Sequence, residues 1–480
     1  MKKLTAWILL VVTIICILAS CQKSRPEPDF NTVDLSDSEY NTGEIYYVRS
    51  YPENRDFTEA YYEYVNNEIL VIANEGVAKS EVEELAESYG ASVVGYIELT
   101  GDYQWRFDKT YTYDELLDLT KKLENEEILY ASHLQTVLTN EEEGTSGFVK
   151  YKDNWGYEAI KADKAAEYVK DAEAIHLGAI DASFAKDHED IEYAELLSNT
   201  EPTYNEHGNH VMGIMGATRD NGLGINGVYP LAKGNLYGFS TGDLDCTMFI
   251  YKAALTALLT RNVKVINVSL GIDDASTVYC LMQKYPDVTA DIQYQVDILE
   301  EYFLSMLEKG YDFVIVNASG NNACFTFTQN EDEIEDVYYG WSYESSDERV
   351  TNGQANYGHP FVMIDNEDVR SRIISVGAVE KTEEGYKEAV FSDNGSRVDL
   401  MAPGVEIYSA THKPKKYATF EGTSMAAPHV TGAAACVWSV KPSLTGAQVK
   451  EILCSTADID VEGTDVNMVN VLAAVKKAME

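Results

Sequence analysis

A chain of 480 residues has room for two or three domains, and 45% apolar with 24% charged residues is globular composition, which excludes a disordered chain. The formal charge of −42, from 79 acidic against 37 basic residues, repels phosphate backbones and argues against a nucleic-acid partner.

Lys2 and Lys3 precede a nearly unbroken apolar run from Leu4 to Ile17. The run is short for a membrane span and suits the core of a signal peptide. Leu18-Ala19-Ser20-Cys21 follows and resembles the bacterial lipoprotein signal. That resemblance implies removal of residues 1–20 and a lipid on Cys21. It also implies an extracytoplasmic protein held to the bacterial cell membrane through that lipid. An ordinary signal peptide or an anchor helix are the alternatives. Residues 21–65 are rich in Asp, Glu, Ser, Pro and Tyr and read as a solvated tether.

Residues 66–140 read as a small α+β unit. Glu68–Ala73 is a strand run, and residues 79–89 place Val82, Leu85 and Ala86 on one helical face. Strands over 91–99 and 102–107, a helix over 113–123 and a strand over 128–134 complete the order βαββαβ, which matches a ferredoxin-like unit.

From residue 150 to 480 short apolar runs alternate with helical stretches. The strand runs are 174–180, 263–268, 313–316 and 373–376; helices fall at 248–259 and 296–307. This alternation predicts an α/β fold with a parallel sheet covered by helices on both faces. Sites in such sheets form at the carboxyl ends of strands.

Three polar residues stand at such places. Asp181 follows the apolar strand directly, where a carboxylate needs a partner. His207 opens the glycine-laced run His-Gly-Asn-His-Val-Met-Gly. Ser424 lies in Glu-Gly-Thr-Ser-Met-Ala-Ala-Pro, a loop-to-helix junction of small residues. A serine hydroxyl needs a base, and the base needs an orienting acid. Asp181, His207 and Ser424 supply these roles, and the amide of Asn321, after the run Val-Ile-Val-Asn-Ala-Ser-Gly, can donate to a developing oxyanion together with the Ser424 N–H.

The order Asp, His, Asn, Ser and the run from Gly422 to Val430 resemble the subtilisin-like serine proteases, with further matches at 265–271, 373–379, 391–395 and 398–404. The resemblance covers roughly 150–475, and the 66–140 unit resembles the family's inhibitory propeptide. It implies an endopeptidase that cleaves protein or peptide substrates through an acyl-enzyme, needs no cofactor for its chemistry, and takes its own propeptide-like domain as a partner. It places Ser269, Leu270 and Gly271 opposite Ala318, Ser319 and Gly320 as walls of the S1 pocket. It also puts Asp190, the Asn221 side chain and the carbonyls of Leu223 and Ile225 where the family has a calcium loop. A plain surface turn at Asn221-Gly222 is the other reading.

Departures from the family pattern are Ala182-Ser183 after the acid, where Ser-Gly or Thr-Gly is usual, and Asn209 in place of Thr. Two inserts, 272–311 and 322–370, border the cleft. A rival reading is a binding protein of this fold whose altered acid turn no longer supports activity; another is a maturation protease with one partner peptide. His210 reads as a packed histidine and not half of a zinc pair, since no HExxH pattern occurs. His188 reads as structural. After Cys16 and Cys21, five cysteines remain; Cys436 reads as a packed thiol, and Cys280 and Cys324 as a candidate loop pair.

Overall fold

The computed structural model describes residues 39–50, 54–56, 64–140, 144–145, 154–198, 205–242, 245–271, 286–321, 360–393 and 395–480. The lipidation call on Cys21 and the Cys280–Cys324 pair lie outside them.

The N-terminal unit contains β1 (Glu39–Asn41), β2 (Ile45–Val48), β3 (Tyr64–Ala73), α1 (Lys79–Ser88), β4 (Ala91–Ile97), β5 (Asp102–Phe107), α2 (Tyr113–Leu123) and β6 (Leu129–Asn140). Its sheet runs β1-β2-β4-β5-β3-β6, with every neighbouring pair antiparallel. The helix ends are set locally: Thr112 caps α2, accepting from the Glu115 N–H while the Glu115 carboxylate accepts from Thr112 N. Trp105, Ile69, Val71, Val82, Leu116 and Leu134 form the unit's own core under these two helices.

The expected tether, 21–65, is shorter than the composition suggested. Residues 39–48 form a hairpin on the edge of this sheet, because Tyr40, Ile45 and Tyr47 alternate inward and are buried. Polar composition concealed a two-residue period over only a few positions.

After β7 (Gly144–Thr145) and α3 (Ala162–Val169), the catalytic unit follows. Its main strands are β8 (His176–Asp181), β9 (Tyr193–Leu197), β10 (Leu236–Ser240), β12 (Val263–Val268), β14 (Val314–Ala318), β15 (Ile373–Lys381) and β16 (Leu400–Pro403). Two short strands, β11 (Asp245–Thr247) and β13 (Leu270–Gly271), and the hairpin strand β17 (Tyr417–Glu421) lie outside this sheet. The order β9-β10-β8-β12-β14-β15-β16 is parallel throughout. The chain steps to one side of β8 and then to the other, so a switch point lies between β8 and β12.

Strand side chains alternate between two layers. Leu177, Ala179, Val265, Val314, Val316 and Val376 pack with α4 (His207–Gly216), α7 (Thr423–Val440) and the C-terminal helix. Ile180, Ile266, Val268, Ile315 and Ile373 pack with α5 (Met248–Leu259) and α6 (Pro286–Glu308). Burial on both faces explains the continuous apolar runs. Helix α6 occupies much of the first insert and extends a helix expected at 296–307 by ten residues toward the N-terminus (296 − 286). Among the described residues no helix is long and apolar enough to cross a membrane.

The two units meet along one face. Leu70 and Ile97 of the N-terminal sheet join the α5–α6 layer, and the Gln135 side-chain oxygen accepts from Phe249 N at the start of α5, at 3.1 Å. The end of β6 continues into the catalytic unit. Val137, Leu138 and Thr139 pair with Thr247, Cys246 and Asp245 of β11, while Thr139 and Asn140 pair with Gly271 and Leu270 of β13.

Candidate active site

The carboxyl end of β8 presents Asp181, fully buried. Its backbone is fixed by Thr241, whose N–H donates to Asp181 O at 2.8 Å. One carboxylate oxygen accepts from the Ala182 N–H at 2.8 Å; the other lies 2.6 Å from His207 Nδ1. A backbone N–H thus serves this oxygen whatever the side chain at 182. The Ser183 hydroxyl donates to Asn205 O at 3.1 Å.

His207 opens α4, where its own N–H donates to the Asn205 side chain at 2.8 Å. Gly208 is required by close approach: a Cβ there would lie 2.3 Å from the Ser183 carbonyl oxygen. Asn209, the departure from Thr, holds the surroundings together. Its Oδ1 accepts from Ala185 N and the Tyr193 hydroxyl, and its Nδ2 donates to Thr411 O.

Ser424 sits in the first turn of α7, a helix buried along almost its whole length and packed on α4. Its Oγ is buried with no hydrogen-bond partner among the described residues. The positive end of the helix faces the same place. Pro428 lacks the N–H that would bond back to the Ser424 carbonyl.

Asn321 follows β14 by three residues. Its side-chain oxygen accepts from Thr423 N at 2.8 Å and from Thr423 Oγ1 at 3.0 Å. These two bonds fix the amide orientation, and Nδ2 is left buried with no partner among the described residues. A Cβ built on Gly422 would lie 3.5 Å from that Nδ2 and 3.7 Å from Ser424 N, so both donors border one small space. Thr423 also accepts from Gly320 N at 3.2 Å. Sequence reasoning passed over Thr423, although it lies inside the serine motif.

Ser269, Leu270 and Gly271 follow β12, and Ala318 closes the neighbouring β14 with Ser319 and Gly320 just after it, so both predicted pocket walls lie at the carboxyl edge of adjacent strands. Ser319 is pinned by donation to Asp393 O at 2.9 Å.

The residues of the expected calcium loop come together, but they satisfy each other. Asp190 accepts from Asn221 Nδ2 at 2.7 Å and from Ile225 N at 3.0 Å, and the Tyr417 hydroxyl lies 3.4 Å away. Asn221 Oδ1 accepts from Leu223 N at 2.8 Å. Burial raises the Asp190 pKa, which also disfavours a bare carboxylate. With both Asp190 oxygens facing donors, this donor set does not fit a hard cation as arranged. Among the described residues no group of three or more His, Cys, Asp or Glu is placed to hold a metal.

His210 stacks on Phe420 at 4.3 Å with Nε2 3.2 Å from Ala418 O; burial lowers its pKa to about 3. His188 lies 3.0 Å from Lys416 O and edge-on to Tyr417. Cys436 is a buried free thiol whose pKa is raised by burial.

An acid–imidazole pair, a buried hydroxyl at a helix start and two converging donors can carry acyl transfer. Comparison with known proteins agrees. The model of the subtilase family matches residues 53–474. Subtilisin DY of Bacillus licheniformis is 30% identical over 315 residues, 63% of this chain and 90% of that protein. Subtilisin E of Bacillus subtilis (strain 168) is 29% identical over 313 residues, and the match spans 65% of its length. The crystal structure of fervidolysin from Fervidobacterium pennivorans, described as a keratinolytic enzyme related to subtilisin, superposes with a TM-score of 0.60 at 19% identity. It covers 92% of this chain and 65% of that one, and so supports the fold. The chain belongs to the subtilase family and is a serine-type endopeptidase.

Proposed function

We propose that this endopeptidase works with Ser424 as nucleophile, His207 as general base and then acid, and Asp181 as the group that orients His207. Asn321 Nδ2 and the Ser424 N–H hold the oxyanion. The 2.6 Å approach of Asp181 Oδ2 to His207 Nδ1, both buried, carries the reading. Asp181 fixes the tautomer that leaves Nε2 as proton acceptor, Ser424 attacks the peptide carbonyl, and water later hydrolyses the acyl-enzyme. The intact acid–imidazole pair speaks against a protein of this fold that has lost activity. The experiment is hydrolysis of a fluorogenic peptide library with and without a serine-directed inhibitor; unaffected turnover would exclude a serine nucleophile.

Asn321→Ala is expected to lower kcat by about 10²–10³-fold with a smaller change in KM, since an oxyanion exists only near the transition state. Steady-state kinetics check this, and a change confined to KM would assign Asn321 to ground-state binding instead.

The N-terminal unit, a ferredoxin-like βαββαβ arrangement, serves as a propeptide-type inhibitor of its own protease. Support comes from the end of β6, held between β11 and β13 as an added strand, with β7 paired to Glu421 three residues before Ser424. Leu270 and Gly271, expected to line the substrate pocket, are the residues that β6 pairs with. In this reading self-cleavage falls between Asn140 and Gly144.

The protease acts outside the cytoplasm, held at the bacterial membrane by a lipid on Cys21, a reading supported by Leu18-Ala19-Ser20-Cys21 after the apolar run. Cys21→Ala is expected to move the protein out of the membrane fraction and to abolish the mass added by lipid. Unchanged partition with the same added mass would refute the anchor.

A further inference from the structure

The hairpin β1–β2 is paired to the edge of its own sheet and turns its buried side chains into the apolar layer of the catalytic unit. Tyr40, Ile45 and Tyr47 are buried, and they join the layer that holds Phe239, Met248 and Tyr251. Tyr40 meets the Phe239 ring edge-on at 5.3 Å and stacks on Tyr47 at 5.7 Å. The Tyr47 hydroxyl lies 2.6 Å from Ser198 Oγ, beyond the end of β9. Arg49 follows, its guanidinium so close over Gly242 that a Cβ there would overlap it.

These contacts lie along β9, β10 and α5, while β6 pairs with β11 and β13 and reaches the same apolar layer through Leu138, as β11 does through Cys246. The interface also holds a buried ion pair, Lys252 with Asp102, each 1% exposed. Beside it a cavity of about 1200 Å³ opens between Lys79, Tyr96 and Tyr130 on one unit and Glu301, Ser305 and Glu308 of α6 on the other.

We propose that the hairpin 39–50 is a clamp that keeps the N-terminal unit on the catalytic unit as a permanent second chain after the connection is cut, while β6 alone governs inhibition. This rests on the reading of the N-terminal unit as an inhibitor severed between Asn140 and Gly144. Two aromatic anchors in a desolvated site are the kind of contact that dominates association. The end of β6, attached through main-chain pairing and the buried Leu138, can open locally and yield its place to substrate. A lipid on Cys21 would remain with the clamped chain, so the clamp is what keeps the severed protease at the membrane.

The test uses the full chain with Ser424→Ala and the recognition sequence of an unrelated site-specific protease in place of residues 141–143. After cutting, size-exclusion chromatography at about 1 µM retains only complexes with Kd below that concentration. Both fragments are expected to co-elute. Tyr40→Ala with Tyr47→Ala should weaken association at least about tenfold. Tyr47→Phe, which keeps the ring and the fold, should weaken it about 2–10-fold. Because this chain cannot cut itself, the outcome is independent of self-processing, whose failure would show separately as an uncut parent chain. In the same cut chain with Ser424 restored, Leu138→Ala should raise peptide hydrolysis while the fragments still co-elute. Dissociation of the unaltered fragment, equal association of parent and hairpin variants, or activity that appears only as fragments separate would overturn the proposal.

Discussion

Ser424→Ala is expected to reduce kcat by about 10⁵–10⁶-fold, the scale seen when subtilisin, a relative, loses its nucleophile. The change deletes one oxygen, the one proposed to attack the carbonyl with His207 as base. The fold should not suffer. Ser424 Oγ is buried without a partner among the described residues, so its removal relieves a desolvated hydroxyl and should leave stability unchanged or raised by up to about 1 kcal/mol. The pair of measurements is turnover of a fluorogenic peptide and the thermal midpoint of the same sample. Turnover within tenfold of the parent enzyme would mean that another residue is the nucleophile. A collapsed midpoint would mean that Ser424 has a structural part that its environment does not suggest.

Asp181→Asn is expected to lower kcat by about 10⁴-fold with little change in KM. The amide is nearly isosteric, so packing around β8 survives. Its chemistry is reversed at the critical atom. The Ala182 N–H donates to one carboxylate oxygen, and His207 Nδ1 lies 2.6 Å from the other. In the variant the backbone N–H will keep the amide oxygen, which turns the NH₂ group toward His207. The imidazole must then accept at Nδ1 and carry its proton at Nε2, the nitrogen required as base. The check is the pH profile of kcat together with an NMR assignment of the histidine tautomer. Less than tenfold loss, with the tautomer unchanged, would show that Asp181 is not what orients His207.

The parts of this protein legible in its sequence are those whose cause is local or periodic. The strand at 263–268 was read at its observed bounds, because residues buried on both sheet faces leave an unbroken apolar run. The places of Asp181, His207 and Ser424 at element ends were legible, and the small residues around Ser424 mark a helix start. Gly208 could be anticipated as a place of close approach, and the Ser183 carbonyl is what approaches it.

What only the tertiary structure decided depends on partners far apart in the chain. Asn321 was named as a donor, yet its aim is set by Thr423, 102 residues away. The hairpin 39–50 read as tether because three buried apolar residues among polar ones make too short a period to stand out, and Tyr40 and Tyr47 meet Phe239 and Ser198 on another unit. The Asp190 loop was read by its oxygens, whereas its geometry depends on which of Asn221's two ends faces the carboxylate; the nitrogen does, and closes the loop by hydrogen bonds. The register of β6 is likewise unspecified by its own composition, since Val137, Leu138 and Thr139 would pair with any free edge; β11 and β13, brought together by the parallel sheet, supply the edges that fix it.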